Sequence, residues 1–235
     1  MSEYSPRWQP TRNRIIRRSV AARSRADVDH LRLTTLVLDL GGVVVPTLFE
    51  VIEDPSFPAG PFGHDEMYKD VENGHLQERD YWAALAASRP DLDVAHLMRA
   101  CLGIRDEVRG LLSMFAGRFK TAALTNDMAH WFGASWSAQF PEFGQFDVLL
   151  EAAQSGRLKP DPSVFRWALV ALHEQPRNCL FVDDLPSNLA GARAVGMEVE
   201  HFDVSDPAGS VKRILKRFGI TQTRGMTSRV YRPIR

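Results

Sequence analysis

Residues 33–45 read LTTLVLDLGGVVV. Leu, Thr and Val in a short apolar run, closed by an acid, read as a buried parallel strand over 33–39 ending at Asp39. Gly41-Gly42 then lets the backbone turn sharply. Two later runs repeat the pattern: 119–124 stops at Thr125-Asn126-Asp127, and 179–182 stops at Asp183-Asp184. Helical spacing is found over 106–116, 128–139, 163–173, 187–195 and 210–218, with Gly196 as a C-terminal cap and short strands expected at 146–151 and 199–202. Strand–helix alternation implies an α/β fold, a Rossmann-like parallel sheet with helices on both faces.

The core is read as 33–45 plus 105–219, interrupted after the first strand by an insertion over 46–104. Its first part, 46–63, carries Pro55, Pro58, Gly60 and Pro61 and reads as loop. From His64 to Gly103, the stretches MYKDVENG, ERDYWAALAAS and VAHLMRACLG each carry an apolar stripe at helical spacing. The insertion therefore reads as a small all-helical unit.

The chain has 235 residues, 44% hydrophobic and 25% charged, enough for a sizeable core. Its net charge of zero conceals an asymmetry. Residues 1–33 carry eight arginines against three acids, residues 212–235 carry eight basic residues and no acid, and the body between is acidic. The ends, 1–32 and 220–235, read as solvated basic tails rather than nucleic-acid arms, because they lack interleaved aromatics. No apolar run approaches the ~20 residues that span a bilayer. Two cysteines far apart, Cys101 and Cys179, suit reduced core thiols in a cytoplasm.

In open parallel sheets, ligands bind beyond the C-terminal strand ends. Folding brings Asp39, Thr125-Asn126 and Asp183-Asp184 to that edge, with Lys159 of RLKPD in a nearby loop. Singly, each reads as a turn, cap or solvated residue; together they suit phosphoryl transfer. Asp39 and one carboxylate of the 183–184 pair can hold a hard cation such as Mg2+ through oxygen. A carboxylate can be the nucleophile. Thr125 can donate to a phosphate oxygen, and Lys159 can neutralise charge.

These segments resemble the haloacid dehalogenase-like superfamily over roughly 34–204. LVLDLGGVVV is similar to its first motif, AALTN to its second, GRLKPDPSVF to its third and FVDDLPSNLAGARAVGM to its fourth. The pattern is nearest to the capped phosphatases of sugar phosphates and to the phosphatase domain of soluble epoxide hydrolases. The resemblance implies that Asp39 is nucleophile and magnesium ligand, Thr125 and Lys159 are catalytic, and Thr125, Asn126 and Lys159 bind substrate. It implies metal contacts from Asp184, Asp183 and the Gly41 carbonyl, and a cap formed by 46–104. Asn188 stands where relatives often place a further acid.

The departure is Gly41, where family phosphatases usually carry the aspartate that protonates the leaving oxygen. Asp127, His64, His75 and His130 are candidate substitutes. Three functions follow as expectations: hydrolysis of a small phosphorylated metabolite such as a sugar phosphate; non-catalytic binding of a phosphate ligand; and metal-independent dehalogenation, disfavoured because Asp183-Asp184 would repel an anionic substrate. Phe57, Phe62, His64, Tyr81 and Trp82 are candidate pocket residues.

Overall fold

The computed structural model describes residues 33–101 and 103–220. Of the expected basic tails, 1–32 and 220–235, all but Ile220 lie outside the described residues, and Ile220 is buried in the core rather than part of a solvated tail. The elements in order are β1 (Thr35–Leu38), α1 (Leu48–Val51), α2 (Glu66–Glu72), α3 (Glu78–Ser88), α4 (Val94–Cys101), α5 (Asp106–Phe115), β2 (Lys120–Thr125), α6 (Met128–Phe132), α7 (Trp136–Gln139), β3 (Val148–Glu151), α8 (Pro162–Leu172), β4 (Cys179–Asp183), α9 (Pro186–Arg193), β5 (Glu198–His201) and α10 (Pro207–Arg217).

All five strands are parallel, in the order β3-β2-β1-β4-β5. β1 is central and fully buried, which is why its sequence is apolar on both faces rather than alternating. Side chains still alternate in direction. Leu36 and Leu38 of β1 pack with Leu180 and Val182 of β4 against Val108, Leu111 and Phe115 of α5 and Val211 and Ile214 of α10. Val37 and Phe181 point the other way, onto Phe165 and Ala168 of α8 and Leu189 and Ala192 of α9. Helices thus cover both faces, as the alternation implies.

Two expectations need correction. The stretch 46–63 is not all loop: α1 forms there, held by a reciprocal capping box between Thr47 and Glu50, and a 3-10 turn follows over Gly60–Phe62. The proline and glycine content conceals both because each is short. The expected helix over 128–139 is two, because Gly133 at φ +82° ends α6.

Between β1 and β2, α1–α4 form a third apolar cluster. It is centred on Tyr68, Val71, Tyr81, Trp82 and Leu85, with Phe49 stacked on Trp82 at 4.9 Å. Cys179 is buried in β4, and burial pushes its thiol up to about 12. Among the described residues, no helix is long and apolar enough to cross a membrane.

Candidate active site

The register places the site. Leu38 pairs with Val182, so the next residues, Asp39 and Asp183, emerge side by side at the C-terminal edge. Period-two alternation sends both carboxylates to the face of Val37 and Phe181. There Lys159, in the loop before α8, reaches between them: its Nζ lies 2.8 Å from Asp39 Oδ1 and 2.9 Å from Asp183 Oδ2. All three residues are buried. Thr125, at the end of β2, lines the same crevice, as do Gly41 and Asn126.

Asp183 is fully engaged. Its oxygens accept from Lys159, from Leu185 N–H at 2.9 Å and from Asn188 Nδ2 at 3.1 Å. Asn188, where a further acid was the family expectation, therefore serves as a neutral donor that fixes the Asp183 carboxylate. Asp39 is engaged on one side: Oδ1 accepts from Lys159 and from Leu40 N–H at 2.7 Å. Its Oδ2 has no hydrogen-bond donor among the described residues.

Asp184 projects to the opposite side of the strand end, beneath the turn at Gly42. That glycine has φ +71°, and a Cβ there would run into the Asp184 carboxylate. Only glycine lets the turn approach the acid this closely. Carboxylate oxygens of Asp39, Asp183 and Asp184 lie within 4.8 Å of one another.

Three carboxylates against one ammonium leave excess negative charge in a low-dielectric place. Burial pushes the Asp39 carboxyl up to about 7, with Lys159 opposing and Asp183 adding. Burial, then Asp183 and Asp39, also hold Asp184 well above the carboxylate range. Burial alone would lower the Lys159 pKa, but the charges of Asp183 and Asp39 outweigh it and keep the ammonium protonated. A hard divalent cation fits this donor set: oxygen ligands, converging, with uncompensated charge.

Asn126 turns inward. Its Oδ1 accepts from the Lys159 N–H at 2.8 Å, and its Nδ2 lies 3.4 Å from the Lys159 carbonyl. It braces the lysine loop from its place in the crevice lining. The other side of the crevice comes from α3, α4 and α6: Gln77, Glu78, Arg79 and Trp82, then Met98, then Trp131 and Phe132. Of the expected lining residues, Trp82 is there. Tyr81 and Phe57 are instead packed in the insertion's core, and Phe62 and His64 lie outside the crevice. Among the candidate acids, His64, His75 and His130 are solvent-exposed. Asp127 lines the crevice, 3.5 Å from Arg79. Glu78 was not foreseen. A Glu in the first turn of a helix reads as a favourable end charge, and no local signal says which way that helix end faces.

A family model described as haloacid dehalogenase-like hydrolase matches residues 33–196. Drimenol cyclase drtB of Aspergillus calidoustus is 28% identical over 205 residues, covering 81% of this chain and 38% of that protein. Acyl-CoA dehydrogenase family member 10 of Mus musculus is 34% identical over 116 residues, covering 49% of this chain and 10% of the relative. Bifunctional epoxide hydrolase 2 of Rattus norvegicus is 36% identical over 74 residues, covering 32% and 13%. The chain thus spans well under half the length of these curated relatives. Among solved structures, the hydrolase YfnB from Bacillus subtilis, bound to magnesium, superposes with a TM-score of 0.57 at 15% identity, covering 80% of this chain and 100% of that one. A HAD-like hydrolase from Porphyromonas gingivalis gives 0.51 at 21% identity, covering 78% and 98%. These two show likeness of fold.

Proposed function

The chain belongs to the haloacid dehalogenase-like hydrolase family, and from that premise we propose that it hydrolyses a small phosphate monoester through an aspartyl-phosphate on Asp39. The observation that carries this reading is the Lys159 bridge between Asp39 and Asp183. It engages Asp39 Oδ1 and leaves Oδ2 without a hydrogen-bond donor among the described residues, beside Thr125 in an open crevice.

Asp39, Asp184 and the Gly41 carbonyl are the groups that would hold magnesium, with Asp183 orienting Lys159 beside them. The magnesium reported for YfnB accords with this donor set. Bound there, the cation would supply Lewis-acid neutralisation of the transferring phosphoryl group. Asp39 Oδ2 attacks phosphorus while Thr125 and Lys159 stabilise the equatorial oxygens. The P–O bond to the alcohol breaks, and water then cleaves the aspartyl-phosphate, regenerating Asp39 and releasing phosphate.

In this reading α1–α4 act as a cap. Specificity comes from the wall they share with α6, polar at Gln77, Glu78 and Arg79 and apolar at Trp82, Met98, Trp131 and Phe132. The test is phosphate release from a broad panel of phosphometabolites, sugar phosphates included, with and without magnesium and with Asp39→Asn as the blank. Asp39→Asn is expected to abolish turnover. Unchanged magnesium-dependent release by that variant would sink the assignment.

A further inference from the structure

Two carboxyls in the crevice, those of Glu78 and Asp127, have no part in the chemistry above. Glu78 is the first residue of α3, and the residue before it ties that helix end to the core. Gln77 Nε2 donates to the Lys159 carbonyl at 3.3 Å, and its Oε1 lies 3.5 Å from Asn126 Nδ2. Glu78 is therefore held over the crevice that contains Asp39 and Gly41. Its Oε1 accepts from Trp82 Nε1 at 3.2 Å, and Oε2 has no side-chain partner among the described residues. Asp127, the other crevice acid from the loop side, faces the Arg79 guanidinium. At Gly41 there is no carboxylate, and a Cβ built there meets no atom within 4 Å.

We propose that Glu78 supplies, from the insertion, the acid–base function that residue 41 lacks. The assignment rests on the phosphatase reading. In the first half-reaction, Asp39 Oδ2 bonds to phosphorus, the P–O bond to the leaving group breaks, and the Glu78 carboxyl passes its proton to the departing alkoxide. In the second, the Glu78 carboxylate takes a proton from water as the water oxygen attacks phosphorus. The bond to Asp39 breaks, phosphate departs, and Glu78 is again protonated. Burial raises the Glu78 pKa, with Trp82 and Lys159 opposing and Asp127 and Asp183 adding, which favours the protonated form that must begin the cycle.

Glu78→Gln keeps the acceptor for Trp82 and removes the acidic proton. With magnesium and an alkyl phosphate, turnover should fall by about 10²–10⁴-fold. With p-nitrophenyl phosphate, whose leaving group departs unaided, the variant should release about one nitrophenol per enzyme in a burst and then slow. Phosphate should be trapped on Asp39 by acid quench, because the second half-reaction lacks its base. Adding Gly41→Asp to Glu78→Gln should restore at least tenfold on the alkyl ester. Equal losses on both substrates with no burst, or no loss at all, would overturn the role of Glu78. Wild-type protein releasing phosphate from neither ester would overturn the phosphatase reading itself and the Glu78 assignment with it.

Discussion

A carboxylate buried beside two others must be stabilised by something, and at Asp39 the described residues supply one cation, the Lys159 ammonium, and the Leu40 N–H. The nucleophilic role proposed for Asp39 needs it ionised, while burial favours its protonated form. The folded pKa of about 7 lies above the ordinary carboxylate value, so the folded state holds this proton more tightly than the unfolded chain. The sign follows from linkage. In chelator, the Asp39 contribution to stability is full below about pH 4 and is lost as pH rises through 7. Asp39→Asn removes the titration. In chelator it should therefore raise Tm relative to wild type by a margin that grows from pH 5 to pH 8, reaching roughly 2–6 °C. Saturating magnesium should erase most of that margin. Thermal melts at four pH values check this, and a margin independent of pH would refute it.

At the scale of elements, the insertion is anchored by a buried arginine. Arg105 opens α5, where the chain returns to the core, and its buried guanidinium reaches back to the outgoing connection. It donates to the Gly42 carbonyl at 2.8 Å, the Val43 carbonyl at 3.1 Å and both oxygens of Glu50 in α1 at 2.6 Å. Its guanidinium also sits over the Phe202 ring. This clamp fixes the turn that carries Gly41 and Gly42, so it sets the shape of the site without lying in it. Arg105→Ala leaves two carbonyls without this donor and Glu50 without its cation, with only Thr47 still donating to that carboxylate. Unfolding by urea should show a loss of about 3–5 kcal/mol, and Arg105→Lys, which cannot form the planar fork, should recover only part. A loss below about 1 kcal/mol would mean that water replaces the clamp.

Over the whole molecule, the crevice lies where the helical insertion faces the C-terminal edge of the sheet, so both parts contribute to one wall. The aromatic side chains there, Trp82 from α3 and Trp131 and Phe132 from α6, form a joint surface, and in the proposed reading that surface sets substrate choice. Magnesium binding should stabilise the entire fold by mass action, by about 2.7 kcal/mol at a hundred times its dissociation constant. Asp184→Asn should remove most of that gain in a melt with and without the ion. A gain unchanged by Asp184→Asn would place the cation elsewhere.

The apolar runs ending at Asp39, Thr125 and Asp183 were readable from sequence because a parallel strand buried on both faces must be apolar throughout and stops where polar groups begin. That local rule was enough for the α/β class and for the carboxylates at one edge. The broken helix at Gly133 and the short α1 were missed because single-turn elements leave too few residues for periodicity to speak. Which carboxylate keeps free oxygens, which amide braces Lys159 and which acid of the insertion overlooks Gly41 were decided only by the tertiary structure. Those properties depend on long-range packing: residues 77 and 126, or 42 and 105, meet only after the sheet and the insertion have closed on each other.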